Sequence, residues 1–275
     1  MSADNVKGGP NKRAACIEDG FLFKELRFEE RFAAAKAAGF DSVELWSWRE
    51  RDLDAVAGRA QAAGIEVSCF IGADKGSAID PADHDLYLTG VRESVAAAKH
   101  VGAPSIYIFS DEIGPGGVIK PVNPALTRRQ KVASLTRTIS AAADLAAEAG
   151  MTFLLEPVNS VYVPGYFLDT VGAALEVVKA VGRPEIRLVY DFYHQQLVGG
   201  NLIQNLRPAL PHVGSIHVAD VPGRVEPGLG EINFTTLARE MRSLDYRGTI
   251  LFECNPSSST AEALRAIEKY FPIKA

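Results

Sequence analysis

Five times along this chain an Ala-rich stretch with helical apolar spacing ends on glycine, and a short apolar run begins within a few residues. The junctions are Ala-Ala-Gly39-Phe, Ala-Ala-Gly64-Ile, His-Val-Gly102-Ala, Glu-Ala-Gly150-Met and Ala-Val-Gly182-Arg. A helix closing in a left-handed C-cap needs a residue without Cβ at that point, and a strand that follows at once makes an αβ turn. Repetition of the turn implies successive βαβ units with right-handed crossovers, and hence a parallel sheet.

Eight strand-like runs can be counted: Ala14 to Ile17, Ser42 to Leu45, Glu66 to Ile71, Ser105 to Phe109, Thr152 to Glu156, Ile186 to Asp191, Val213 to Val218 and Gly248 to Glu253. Helical patterns lie between them, including Arg27 to Ala38, Asp52 to Ala63, His84 to Val101, Thr127 to Ala149, Asp169 to Val181 and Phe234 to Leu244. Eight such units in 275 residues predict an α/β fold of one domain, a single (β/α)8 TIM barrel. We expect the barrel to occupy residues 13–275, behind a flexible N-terminal tail of residues 1–12. A doubly wound open sheet is the rival, but it normally uses fewer strands, and no Gly-x-Gly-x-x-Gly or P-loop motif follows any run. Two strand-to-helix connections are long, Gly72 to Asp83 and Ser110 to Ala125, as expected of loops that build a barrel's active face.

Composition narrows the partners. A formal charge of -5 and a pI near 5.6, without a basic stripe, argue against a nucleic-acid surface. Cys16, Cys69 and Cys254 cannot all pair and form no CxxC motif, so buried reduced thiols are expected. The segment Met1 to Lys12 is polar, and no apolar run is long enough to span a membrane, so the expected location is the cytoplasm.

Four strand-like runs end in, or next to, a polar residue: Thr-Phe-Leu-Leu-Glu156, Ile-Arg-Leu-Val-Tyr-Asp191, Val-Gly-Ser-Ile-His217 and Thr-Ile-Leu-Phe-Glu253. Successive members are separated by about one βα repeat, which puts them on strands five to eight at one level. A lone strand-end carboxylate can cap a helix or pair with Arg. Three together cost several kcal/mol unless a cation compensates, so the quartet Glu156, Asp191, His217 and Glu253 reads as a divalent-metal site. Three oxygens and one nitrogen without thiolate favour Mn²⁺, Mg²⁺ or Co²⁺ over structural Zn²⁺. His194, Arg224 and Glu226 lie beside these residues and are candidates to bind substrate. Arg224 either clamps a substrate carboxylate or hydroxyl, or neutralises the acidic rim. Trp46, Trp48, Tyr107 and Phe109 either wall a sugar-sized pocket or pack.

The motifs Leu-Leu-Glu156-Pro-Val-Asn159-Ser, Pro164-Gly165-Tyr166, Asp191-Phe-Tyr-His194-Gln, Ile-His217-Val-Ala-Asp-Val-Pro-Gly-Arg224, Gly230-Glu231-Ile-Asn233-Phe and Leu-Phe-Glu253 resemble the xylose-isomerase-like barrels. Within them the chain resembles the hydroxypyruvate isomerase group. It implies metal-dependent aldose–ketose or hydroxypyruvate-type isomerisation through an enediolate, on a small sugar or hydroxy-acid. It further implies that Glu156 and Glu253 carry protons, while His194 and Arg224 bind substrate oxygens.

A ketose 3-epimerase is the alternative, but that branch carries a second Glu six residues after the first ligand, where this chain has Tyr162. The endonuclease IV branch uses a His-rich trinuclear zinc cluster, and this chain has five His in all. A non-catalytic sugar-binding barrel would not need both glutamates. Association into homo-oligomers is common among such barrels, though no segment here demands it.

Overall fold

The apolar runs assemble into one parallel sheet of eight strands, in a computed structural model that describes residues 11–273. The strands are β1 (Lys12–Cys16), β2 (Ser42–Glu44), β3 (Glu66–Cys69), β4 (Ser105–Ile108), β5 (Thr152–Leu155), β6 (Ile186–Asp191), β7 (Val213–Val218) and β8 (Thr249–Phe252). The helices are α1 (Phe28–Ala37), α2 (Leu53–Ala63), α3 (His84–Val101), α4 (Arg128–Ala149), α5 (Val171–Val181), α6 (Phe192–Val198), α7 (Leu202–Ala209), α8 (Phe234–Ser243) and α9 (Thr260–Tyr270). They cover the outer face of the sheet, so the strands are buried from both sides and read as continuous apolar runs rather than alternating ones. This is the predicted (β/α)8 barrel. Of the predicted tail, residues 1–10 lie outside the described residues, and Lys12 already begins β1.

The glycine junctions act as the sequence predicts. Gly64, Gly102, Gly150 and Gly182 are left-handed C-caps of α2, α3, α4 and α5, and Gly39 takes φ +83° one residue beyond the cap of α1. Helix starts are fixed by side chains: Asp52 accepts from Ala55 N–H, Thr170 from Ala173 N–H, and Thr127 forms a capping box with Gln130. Helices α6, α7 and α9 are not among the helical patterns named from the sequence. Helix α6 was hidden because Asp191 both ends β6 and caps α6, accepting from His194 N–H at 3.0 Å.

Sheet order runs β3-β2-β1-β8-β7-β6-β5-β4, so β1 and β8 pair and the ring nearly closes between β3 and β4. There the ladder shrinks to a bridge between Ile71 and Tyr107, with Tyr107 N–H donating to Phe70 O at 2.9 Å and Gly72 N–H to Tyr107 O at 2.8 Å. Cys16, Cys69 and Cys254 are free and buried. No helix among the described residues is long and apolar enough to cross a membrane.

Candidate active site

Strands β5 to β8 bring the predicted quartet to one rim of the barrel. Asp191 is the last residue of β6, and His217 lies opposite it in the β6–β7 register. Glu156 and Glu253 stand one residue past β5 and β8, where the chain leaves the ladder and is free to turn its side chain inward. All four are buried, and one ligand atom from each lies within 4.8 Å of every other. His217 Nδ1 sits 3.5 Å from Glu156, 3.8 Å from Asp191 and 3.4 Å from Glu253, yet it has no hydrogen-bond partner among the described residues.

That orphaned nitrogen and three crowded carboxylates fit a divalent cation. Electrostatics agree: burial works against charge on His217, but Glu156 and Glu253 outweigh it and raise its pKa well above the usual histidine range. The cluster therefore attracts positive charge.

His194 stands beside the quartet. Its Nδ1 accepts from the Asn159 backbone N–H at 3.1 Å and lies 2.6 Å from the Asn159 side-chain amide. With Nδ1 occupied as an acceptor, the ring's proton belongs on Nε2, which faces Asp191 at 3.6 Å and Glu156 at 4.0 Å. Burial holds the imidazole below its ordinary pKa in spite of Asp191. The result is a neutral ring with one N–H aimed into the site, suited to donate to a substrate oxygen.

Arg224 projects from the β7–α8 connection. Its Nη2 is 2.8 Å from Glu253 and 3.8 Å from Asp191. The guanidinium lies 5.3 to 5.9 Å from the ring centroids of Tyr193, Phe21 and Trp46, an aromatic box that favours a flat cation. Trp46 Nε1 also donates to Glu253 at 2.7 Å. Burial pushes the Glu253 carboxyl up, but Arg224, His217 and Trp46 outweigh it and bring it down to about 2. Glu253 is thus an ionised, tethered carboxylate.

Glu226 is placed differently from its sequence neighbours. It is 3% exposed, and its carboxylate accepts from Ser257 N–H at 2.9 Å and Ser257 Oγ at 2.8 Å, away from the cavity. Arg224 takes φ +55° after Gly223 at φ +89°, and the turn sends the next side chains away from the site. Glu226, expected among the substrate contacts, therefore ties the loop to the segment after β8 and is not among the residues that line the cavity.

A cavity of about 920 Å³ opens above the quartet, bounded by Trp46, Phe109, Tyr162, Tyr193 and the Gly114-Pro-Gly-Gly117 turn. Trp48 instead donates to Ser94 Oγ at 3.0 Å and packs on Phe70. Three residues escaped sequence reasoning. Asn159 orients His194, Asp220 organises the Arg224 loop, and Glu44 lies below His217. Asp220 accepts from the N–H groups of Val221, Gly228, Gly230 and Ile232 at 2.8 to 3.0 Å. Only glycine fits at Gly230, where a Cβ would stand 2.0 Å from Val221 O. Glu44 had a signal, since it ends its strand as the quartet members do.

The family model for xylose isomerase-like TIM barrels matches residues 32–270. A Mus musculus protein provisionally named hydroxypyruvate isomerase is 32% identical, over 91% of this chain and 92% of its own length. The 2-oxo-tetronate isomerase of Cupriavidus necator is 30% identical, over 90% of this chain and 95% of its own. Among solved structures, an AP endonuclease, family 2, from Brucella melitensis superposes with TM-score 0.84 at 26% identity, covering 94% of this chain and 99% of that one. A Methylomonas D-allulose 3-epimerase in complex with D-allulose superposes with TM-score 0.73 at 20% identity, covering 96% and 90%, a likeness of fold alone.

Proposed function

We propose that this chain, which belongs to the xylose isomerase-like TIM barrel family, is a divalent-metal-dependent isomerase of a small hydroxy-keto acid. The observation that carries the reading is the buried quartet of Glu156, Asp191, His217 and Glu253, with the unpartnered His217 Nδ1 facing three carboxylates. The curated relatives named for hydroxypyruvate and 2-oxo-tetronate isomerisation support the substrate class. Mn²⁺, Mg²⁺ or Co²⁺ held by the quartet would supply Lewis-acid polarisation of the substrate carbonyl.

The protein's own groups do the rest. Arg224, fixed flat in its aromatic box, binds the substrate carboxylate, while the His194 Nε2–H donates to an oxygen on which negative charge develops. Among the described residues Glu156 accepts no hydrogen bond from a backbone or neutral side-chain donor, which suits it to take the proton from the carbon next to the carbonyl. The electron pair left on that carbon passes into an enediolate, the protonated Glu156 gives its proton to the neighbouring carbon, and the ionised Glu253 assists by taking the hydroxyl proton and passing it to the former carbonyl oxygen.

Tyr162, where the 3-epimerase pattern has glutamate, lines the cavity and stacks on Tyr193 at 6.3 Å, which favours isomerisation over epimerisation. Among the described residues there is one group able to hold a metal, and it contains a single His, which gives the endonuclease alternative no support.

The test is solvent deuterium incorporation into hydroxypyruvate, followed by NMR with Mg²⁺ present. Exchange is expected in the wild type, and loss of it in Glu156→Gln and on chelation. Undiminished exchange in both Glu156→Gln and Glu253→Gln refutes the reading.

A further inference from the structure

Glu44 ends β2 with its carboxylate buried at 3% exposure inside the barrel, below the quartet. One carboxylate oxygen accepts from Ser68 Oγ at 2.9 Å, and the other accepts from the Tyr107 hydroxyl. Tyr107 Oη in turn lies 3.1 Å from His217 Nε2, all three groups being buried. A hydroxyl has one proton. With that proton given to Glu44, Tyr107 Oη can meet Nε2 only as an acceptor, so the imidazole proton belongs on Nε2. A bound cation would displace the other proton, leaving the lone pair on Nδ1, the atom that faces Glu156, Asp191 and Glu253 without a hydrogen-bond partner among the described residues.

We propose that Glu44 is a positioning residue for the metal site: acting through Tyr107, it holds His217 in the tautomer that presents Nδ1 to the cation. Histidines that ligate metals commonly give their other N–H to a partner that fixes ring and tautomer. Here the partner is a hydroxyl and the carboxylate stands one step behind it. The inference rests on reading the quartet as a metal site.

The surroundings of Glu44 fit this role rather than a packing one. Glu44 also borders a second cavity, about 430 Å³, at the opposite end of the barrel, with Ser68, Ser105, Arg187 and Ser215 around it. It is the residue common to this cavity and to the one above the quartet. A carboxylate so buried is costly, and burial pushes its pKa up to about 7 against the pull of His217. An apolar residue would fill the position at less cost if packing were its only duty.

The experiment is calorimetric titration of the full chain with Mn²⁺. Glu44→Leu and Tyr107→Phe are each expected to weaken binding about 10- to 100-fold, with cooperative unfolding of the metal-free variants retained. The double variant is expected to bind no more weakly than Tyr107→Phe alone, because the two groups act in series. Unchanged affinity in both folded variants, or losses that multiply in the double variant, overturns the inference. If a variant fails to fold, ¹⁵N NMR of His217 in the Mg²⁺-loaded wild type decides: a proton on Nε2 alone supports the inference, and a proton on Nδ1 refutes it. A wild type that binds no Mn²⁺ sinks the metal reading and this inference with it, whereas a wild type that binds like both variants sinks only the inference.

Discussion

The Arg224 guanidinium meets the Glu253 carboxylate at 2.8 Å while lying over the rings of Tyr193 and Phe21. One cation therefore touches both a proposed metal ligand and the wall of the substrate cavity. A flat, permanently charged fork satisfies both contacts, and an ammonium does not.

Arg224→Lys separates these duties. The expected result is a rise of at least about tenfold in KM for a hydroxy-keto acid, the loss of one carboxylate hydrogen bond of roughly 1.4 kcal/mol. A keto-sugar without a carboxylate should lose much less. Steady-state kinetics on both substrates checks it, and equal losses would show that Arg224 serves the acidic rim rather than the substrate.

Asp220 anchors the same loop from within. Its side chain receives four backbone N–H groups, and Asp220→Ala leaves the buried pair, at Val221 and Ile232, without that acceptor, whereas water can reach those of the exposed Gly228 and Gly230. At about 1 to 3 kcal/mol for each of these two groups that finds no new partner, a loss of at least about 2 kcal/mol is expected in urea unfolding. Asp220→Asn keeps one acceptor oxygen and should lose less. Stability of Asp220→Ala within about 0.5 kcal/mol of wild type would show that the loop holds its shape without the carboxylate.

Glu44 makes the stability of the metal-free protein pH-dependent. Burial raises its folded pKa to about 7 from 4.5, so between these values the folded chain binds the proton that the unfolded chain has released. Its contribution is fully present below pH 4.5 and is lost as pH rises through 7, by on the order of 3 kcal/mol. Thermal unfolding from pH 5 to 8 should therefore show a steeper decline in wild type than in Glu44→Gln. Parallel profiles would mean that Glu44 titrates normally.

Legibility from sequence followed the range of the interaction. Gly64, Gly102, Gly150 and Gly182 announced their caps because a left-handed C-cap is decided by one residue and its neighbours. The quartet was visible because an acid closing a buried strand is conspicuous, and barrel symmetry converts spacing into proximity. Glu226 misled because adjacency to Arg224 implied a shared direction, which the positive φ at Gly223 and Arg224 breaks. Glu44 and Tyr107 lie on separate strands, and nothing local in Ser-Val-Glu44 announces a tyrosine partner. Helix α6 escaped because a single residue, Asp191, serves as strand end, helix cap and proposed ligand.

The narrow seam at Ile71 and Tyr107 gives the sheet edge strands, β3 and β4, that are not the first and last in sequence. The first and last strands meet at the tight β1–β8 pairing, whereas the sheet's ends fall between β3 and β4. A circular permutant that opened in the β3–β4 connection and joined the segment after α9 to the segment before β1 would read β4 to β8 and then β1 to β3, each strand laid beside the one before it. Such a chain would form every long ladder between consecutive strands and leave Tyr107 to latch the ring last. In this barrel the residue that closes the circle is also the one beneath the proposed metal ligand His217.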